Sequence, residues 1–268
     1  MPKHIINGIQ LSYAEYGTGD PVLMIAGTGA PGRVWKTHQV PALVQAGFRV
    51  ITMDSRGVPP SDLCEGGFEL ADMVRDAIEL IKVLGIGPCR IVGTSLGAII
   101  TQEILLEHPE LVREAVVMAT RGRNSVLNSA STAAELELFD QGIKLPSRYH
   151  AVIRVTQGFS RRTLGDERTV QDWLDLFDMS PISTSLSRSQ IAIDIMPNRL
   201  GAYGGIGVRC LVIAFTDDLL TPPYLCREVA DSLPNGTYLE IADCGHYGYL
   251  EEPGQVNSAI IDFFQRGA

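Results

Sequence analysis

Three short apolar runs, Val22–Ala26, Arg49–Met53 and Arg90–Val92, each give way at once to glycine or aspartate. Short, continuous runs rich in β-branched residues predict strands buried on both faces, the pattern of a parallel sheet covered by helices. The intervening segments fit that reading. Leu70–Leu84 places Leu70, Met73, Val74, Ala77, Ile78, Ile81 and Leu84 on one helical stripe. Val34–Gln45 and Leu96–Glu107 also read as helices, the second stopped by His108-Pro109. Val112–Ala119, Val208–Phe215 and Thr237–Ile241 predict further strands, with helices over Pro223–Leu233 and Val256–Gln265. Two alternating segments around His4–Ile9 and Leu11–Glu15, separated by Gly8, predict an opening hairpin. The expected class is α/β, with a mostly parallel central sheet and helices on both faces.

Residues 121–200 break the alternation and read as helical and irregular. They carry 10 Lys and Arg against 9 Asp and Glu, in a chain whose net charge is −9. The expected organisation is a core of residues 1–120 and 201–268, with 121–200 inserted after the sixth strand as a helical cap. That cap would cover the sheet's C-terminal edge, where open α/β sheets bind ligands.

The acidic balance argues against a nucleic-acid partner, which needs clustered Lys and Arg. Cys64, Cys89, Cys210, Cys226 and Cys244 are odd in number and lack a C-x-x-C pair, which favours reduced thiols. Met1–Gln10 has no signal-peptide pattern, and no apolar run approaches the roughly 20 residues of a membrane span. A cytoplasmic protein is expected.

Gly93-Thr94-Ser95-Leu96-Gly97 joins a strand-like run to a helix-like one. In that context the pentapeptide predicts a sharp turn that exposes the Ser95 hydroxyl, with the positive end of the following helix aimed at the site. Serine needs a base and an orienting acid to act as a nucleophile. Of the five histidines, His4 lies on the hairpin, His38 in the first helix, His108 at a helix end and His150 in the insertion. His246 alone occupies a glycine-flanked loop after the last strand. The loop after Val208–Phe215 offers two acids, Asp217 and Asp218; Asp218, three residues before Thr221-Pro222, is the preferred candidate and Asp217 the fallback. The order Ser, Asp, His matches nucleophile-elbow enzymes and neither of the other familiar triad orders.

Gly27-Thr28-Gly29-Ala30-Pro31-Gly32 is a literal dinucleotide-binding pattern, and Asp54 ends the next strand about 20 residues on. The rival use of this loop is to supply the Thr28 or Gly29 amide to an oxyanion hole completed by the Leu96 amide. The rival is preferred because a dinucleotide site would explain neither Ser95, Asp218 nor His246, and two β segments precede what should be the first strand.

Taken together, Ile25-Ala26-Gly27-Thr28-Gly29 with Trp35, Asp54-Ser55-Arg56-Gly57, the Ser95 pentapeptide, Asp218 to Pro223, and Gly245-His246 with Leu250-Glu251-Glu252-Pro253 resemble the α/β-hydrolase superfamily. The resemblance is strongest to the small bacterial branch of esterases, proline iminopeptidases, cofactor-free haloperoxidases and carbon–carbon bond hydrolases. It departs at Ala26-Gly27, where His-Gly is usual, and at Val58-Pro59-Pro60-Ser61, where a glycine-containing continuation is usual. The resemblance implies a serine hydrolase of the carboxylesterase or thioesterase kind, cleaving a small organic or acyl ester without a cofactor or metal. The same triad could instead serve a lyase, a cyclase or a carbon–carbon bond hydrolase acting on a biosynthetic intermediate. A non-catalytic ligand-binding module is a further alternative. Substrate choice would rest with the insertion. There Trp173, Phe159 and Arg121, with Gly29 of the loop, are candidate substrate contacts. Trp173, Phe159, Leu176 and Phe177 together read first as core, with one or two of them open to line the pocket, and Arg123, Arg154, Arg161 and Arg162 as a solvated face or a surface for a carboxylate or an acyl carrier protein. A homodimer is among the assemblies open to such a chain.

Overall fold

A computed structural model describes residues 3–179 and 188–267. Among these residues eight strands form one sheet: β1 (Lys3–Ile6), β2 (Ile9–Tyr16), β3 (Asp20–Ile25), β4 (Phe48–Asp54), β5 (Cys89–Thr94), β6 (Val112–Met118), β7 (Arg209–Phe215) and β8 (Gly236–Ile241). Their spatial order is β1-β2-β4-β3-β5-β6-β7-β8. The β1–β2 and β2–β4 pairs are antiparallel and all others parallel. The expected fold class is thus the observed one.

The helices before the insertion are α1 (Gln39–Gln45), α2 (Leu70–Val83) and α3 (Leu96–Glu107). Between β6 and β7 come α4 (Val126–Asp140), α5 (Ser147–Gly158), α6 (Arg161–Leu164), α7 (Glu167–Asp178), α8 (Arg188–Ala192) and α9 (Leu200–Tyr203). The chain ends with α10 (Pro223–Ser232), α11 (Gly248–Glu251) and α12 (Pro253–Arg266). Among the described residues, no helix is long and apolar enough to cross a membrane.

The strand period of two explains the continuous apolar runs. Leu23, Ile25, Ile91, Val117 and Val212 pack with α2, α3 and α10 on one face. Val22, Met24, Val92, Val116 and Ile213 pack with α1 and α12 on the other. With both faces covered, neither parity is free for polar residues.

Two elements differ from the sequence pattern. The opening hairpin turns at Asn7-Gly8, both at positive φ, so that Ile9 pairs with Ile6 and belongs to the second strand. Val34–Gln45 is not one helix. Gly32–Lys36 forms a short 3₁₀ turn, and α1 starts afresh at Gln39. Pro41 accounts for the break. It lacks the N–H that a continuous helix would need at that point, yet is tolerated within the first turn of α1.

The insertion docks on loops that follow the C-terminal ends of strands. Gln190 Nε2 donates to Gly57 O and Ser189 Oγ accepts from Phe68 N, both beyond β4. Asn128 Nδ2 donates to Leu220 O beyond β7, and Tyr247 N donates to Gly158 O beyond β8.

Candidate active site

Ser95 stands between β5 and α3 with φ 53° and ψ −120°, a conformation that costs energy in any residue with a side chain. Close packing holds it there. The Ser95 N–H donates to Met118 O at the end of β6, 3.0 Å away. A Cβ on Gly93 would lie 2.3 Å from Gly97 O, and one on Gly97 would lie 2.2 Å from Ile25 O. The flanking glycines are therefore required because backbone passes backbone at the turn. As the first residue of α3, Leu96 has an N–H with no acceptor within its own helix.

The loop after β3 runs beside this turn. A Cβ built on Gly27 would sit 3.1 Å from Ser95 Cβ and 3.7 Å from Ser95 Oγ. Thr28 follows, half-buried, and then Gly29, buried with φ 65°. The loop is anchored by Asp54, whose Oδ1 accepts from Gly32 N at 2.8 Å. Burial holds the Asp54 carboxyl above the ordinary range, against the lowering effect of that bond. The glycine-rich loop thus turns into a 3₁₀ segment, and the acid at the end of β4 faces back onto the loop. A dinucleotide site would instead have a long helix there and an acid free to meet a ribose.

Beyond β7, Asp218 is 2% exposed and fully hydrogen-bonded. Its Oδ1 accepts from Leu220 N (2.8 Å) and Thr221 N (2.9 Å). Its Oδ2 accepts from Thr221 Oγ1 (2.7 Å) and faces His246 Nδ1 at 2.8 Å. Burial alone would raise the Asp218 pKa, but the attraction and hydrogen bond of His246 and the Thr221 donors outweigh it. The carboxyl is held below the usual carboxylate range. An ionised carboxylate only accepts, so His246 Nδ1 is the donor in that contact, and in the neutral tautomer this leaves Nε2 as the acceptor. Asp217 is engaged elsewhere, its Oδ2 accepting from Arg161 N at 3.0 Å.

The structure thus brings His246 against Asp218 and places Ser95, Asp218 and His246 beyond the C-terminal ends of β5, β7 and β8, on one edge of the sheet. Sequence reasoning missed Thr221 as a third member of the acid's surroundings. The signal was present, since an aspartate commonly captures the N–H groups two and three residues on.

In the insertion, Phe159 and Trp173 belong to an aromatic cluster with Phe177 and Tyr247, the neighbour of His246. Phe159 lies 4.8 Å from Trp173 and 5.4 Å from Tyr247 between ring centroids. Arg121 is buried and occupied: it donates to Asp194 Oδ1 (3.1 Å) and to Asn124 Oδ1 (3.2 Å). Arg123 pairs with Glu228 and Arg162 with Glu252, while Arg154 lies over the Phe177 ring. Most of the arginines singled out in the sequence are therefore tied to the protein itself. All five cysteines are free thiols. Among the described residues, no group of three or more His, Cys, Asp or Glu is arranged to hold a metal ion.

A sheet of this order, with a strained serine after β5 and an Asp–His pair beyond β7 and β8, defines the α/β-hydrolase architecture. The alpha/beta hydrolase fold family matches residues 20–253, and the chain belongs to that family. It is 50% identical over 257 residues to the "Putative non-heme bromoperoxidase BpoC" of Mycobacterium tuberculosis, covering 96% of this chain and 98% of that protein. The crystal structure of that protein superimposes with a TM-score of 0.92 at 48% identity, covering 96% of each chain. The enol-lactonase of Burkholderia xenovorans shares the fold, with a TM-score of 0.84 at 22% identity, covering 98% of this chain and 100% of that one. The chain is thus an enzyme of the α/β-hydrolase superfamily, on the side of the cofactor-free haloperoxidase-like branch.

Proposed function

We propose that the protein is a serine hydrolase that cleaves an ester or thioester of a small organic acid through Ser95, His246 and Asp218. The observation that carries this reading is the 2.8 Å contact between Asp218 Oδ2 and His246 Nδ1, in a fold whose strained turn bears a serine. His246 Nε2 takes the Ser95 proton as the hydroxyl attacks the acyl carbonyl, and Asp218 stabilises the imidazolium that forms. The Leu96 amide and the Thr28 amide hold the oxyanion, a contribution of about 2.7–4 kcal/mol per donor in enzymes of this kind. His246 then returns the proton to the leaving group, and water, activated by the same imidazole, releases the acid. Residues 121–200 act as the cap, and Phe159 and Trp173 supply its apolar lining.

Replacing Ser95 with Ala tests this reading. Turnover of a p-nitrophenyl ester should fall by at least about a thousandfold in a folded protein. Hydrolysis at the wild-type rate would overturn it.

A second reading draws on the name of the 50% identical relative. In it, hydrogen peroxide replaces water as the nucleophile that opens the acyl-enzyme, and the peracid released oxidises bromide. Bromination of an activated enol that requires peroxide, a carboxylic acid and Ser95 together would support it; bromination that survives Ser95→Ala would not.

A further inference from the structure

The segment joining α5, α6 and the turn between them touches the catalytic loops at three points, each next to a proposed triad member. Gly158 O accepts from Tyr247 N, the residue after His246, at 2.9 Å. The Arg161 amide donates to Asp217 Oδ2, on the residue before Asp218, at 3.0 Å. The third point is Glu251, on α11. Its Oε2 accepts from Gly245 N, the residue before His246, at 2.6 Å. Its Oε1 accepts from Ser160 N at 3.0 Å, from Ser160 Oγ at 2.6 Å, and from Thr163 Oγ1. One carboxylate thus joins the backbone just ahead of His246 to two residues of the insertion.

The contact is tight as well as polar. A Cβ on Gly245 would lie 2.6 Å from the Phe159 carbonyl carbon, and one on Gly158 would lie 2.2 Å from the Tyr247 ring. The 245–247 loop and residues 158–159 therefore cannot slide past one another without breaking backbone contacts on both sides. Hydrogen bonds to a charged acceptor are the stronger kind, and Glu251 accepts four of them from three residues.

We infer that Glu251 is a positioning residue for the base, fixing the His246 loop against the Ser160–Thr163 segment so that the imidazole keeps its place between Asp218 and Ser95. This rests on His246 being the base, as proposed above. In this arrangement the insertion has two roles. Its 158–163 segment belongs mechanically to the catalytic loops, while Phe159 of that segment also packs with Trp173 in the apolar lining.

Two measurements on the full chain test the inference. The first is steady-state hydrolysis of a p-nitrophenyl ester by wild type, Glu251→Ala, Glu251→Gln and the pair Ser160→Ala/Thr163→Val. The second is the proton NMR signal of His246 Nδ1–H, which reports its bond to Asp218 whether or not Ser95 reacts. Glu251→Ala should lower kcat by about tenfold or more while KM stays within about threefold, and should shift or broaden the Nδ1–H signal. Glu251→Gln, which still accepts from Gly245 N, should recover part of both. The Ser160/Thr163 pair, which leaves the Gly245 bond intact, should move both readouts the same way by less, and it replaces Glu251→Ala should that variant fail to fold. An unmoved signal with kcat within about twofold of wild type would overturn the inference. So would a fall in kcat with the signal unchanged. A wild type without esterase activity would count against the proposed function alone, because the NMR comparison would still decide the role of Glu251.

Discussion

Thr221 donates to both carboxylate oxygens of Asp218, its amide to Oδ1 at 2.9 Å and its hydroxyl to Oδ2 at 2.7 Å. The hydroxyl oxygen also lies 3.3 Å from His246 Nδ1, so its proton goes to Asp218 and its lone pair faces the imidazole N–H. Thr221 therefore fixes the rotation of the Asp218 carboxylate relative to the His246 ring. Thr221→Val keeps the shape and the amide bond but removes the hydroxyl, leaving Oδ2 with His246 alone. Stability should fall by about 1–3 kcal/mol, and kcat/KM for an ester substrate by about tenfold or more. Thr221→Ser should restore most of both. Chemical denaturation and initial-rate kinetics on the three proteins check this; equal rates for Val and Ser would show that the hydroxyl plays no part.

Much of this was legible in the sequence, for a physical reason. The buried strands announce themselves because both faces of the sheet are covered, which leaves runs such as Val22–Ala26 no polar parity. Ser95 is legible because Gly93 and Gly97 are sterically obligatory around it. His246 follows by elimination among five histidines, and Asp218 from its place before Thr221-Pro222. What stayed hidden is what depends on contacts distant in sequence. Arg121 looks like any exposed arginine until Asp194, 73 residues on, is seen to bind it. Glu251 is marked in the sequence only as part of Leu250-Glu251-Glu252-Pro253, and its bonds emerge only when the fold brings Ser160, 91 residues away, onto it.

The same steric reasoning separates two glycines near Ser95. A methyl group on Gly97 would meet Ile25 O at 2.2 Å and Ala26 O at 2.7 Å, both backbone atoms of or next to β3. Helix α3 would have to lift off the sheet, so Gly97→Ala should give little folded protein. On Gly27 the nearest atom is Ser95 Cβ at 3.1 Å, a contact that yields by a few tenths of an ångström. Gly27→Ala should fold with a modestly lowered Tm, and its loss should fall on kcat through a displaced Ser95. Thermal melts paired with ester kinetics distinguish the two. A well-folded Gly97→Ala would contradict the close packing of α3 on β3.

Away from the site, Arg56 and Asp76 form a buried bidentate pair, with both bonds at 2.6 Å and side chains 8% and 1% exposed. Asn7 Nδ2 adds a third bond to the same carboxylate, at 3.1 Å, so one acid ties the hairpin turn and the loop after β4 to α2. Asp76→Ala would strand the guanidinium, leaving it with Asp72 at 3.9 Å. The expected cost is about 3–5 kcal/mol. Removing both charges in Arg56→Met/Asp76→Leu should recover much of that loss. Urea unfolding of the single and double variants measures it, and a single variant within about 1 kcal/mol of wild type would show that the pair contributes little.

Acid should weaken the fold through Asp218. Its carboxyl is held ionised below the usual carboxylate range because His246 and Thr221 outweigh the effect of burial. For a carboxylate whose folded pKa lies below its unfolded value, about 3.9 for Asp, the linked stability is fully present above the unfolded value. It is lost as pH falls through the folded one. Asp218→Asn removes that dependence while keeping the side chain's size. The stability difference between wild type and Asp218→Asn should therefore shrink as pH falls below about 4. Urea midpoints collected from about pH 7 down to about pH 2.5 would show this. A difference that stays constant or widens below about pH 4 would mean that Asp218 is not held ionised by the partners seen around it.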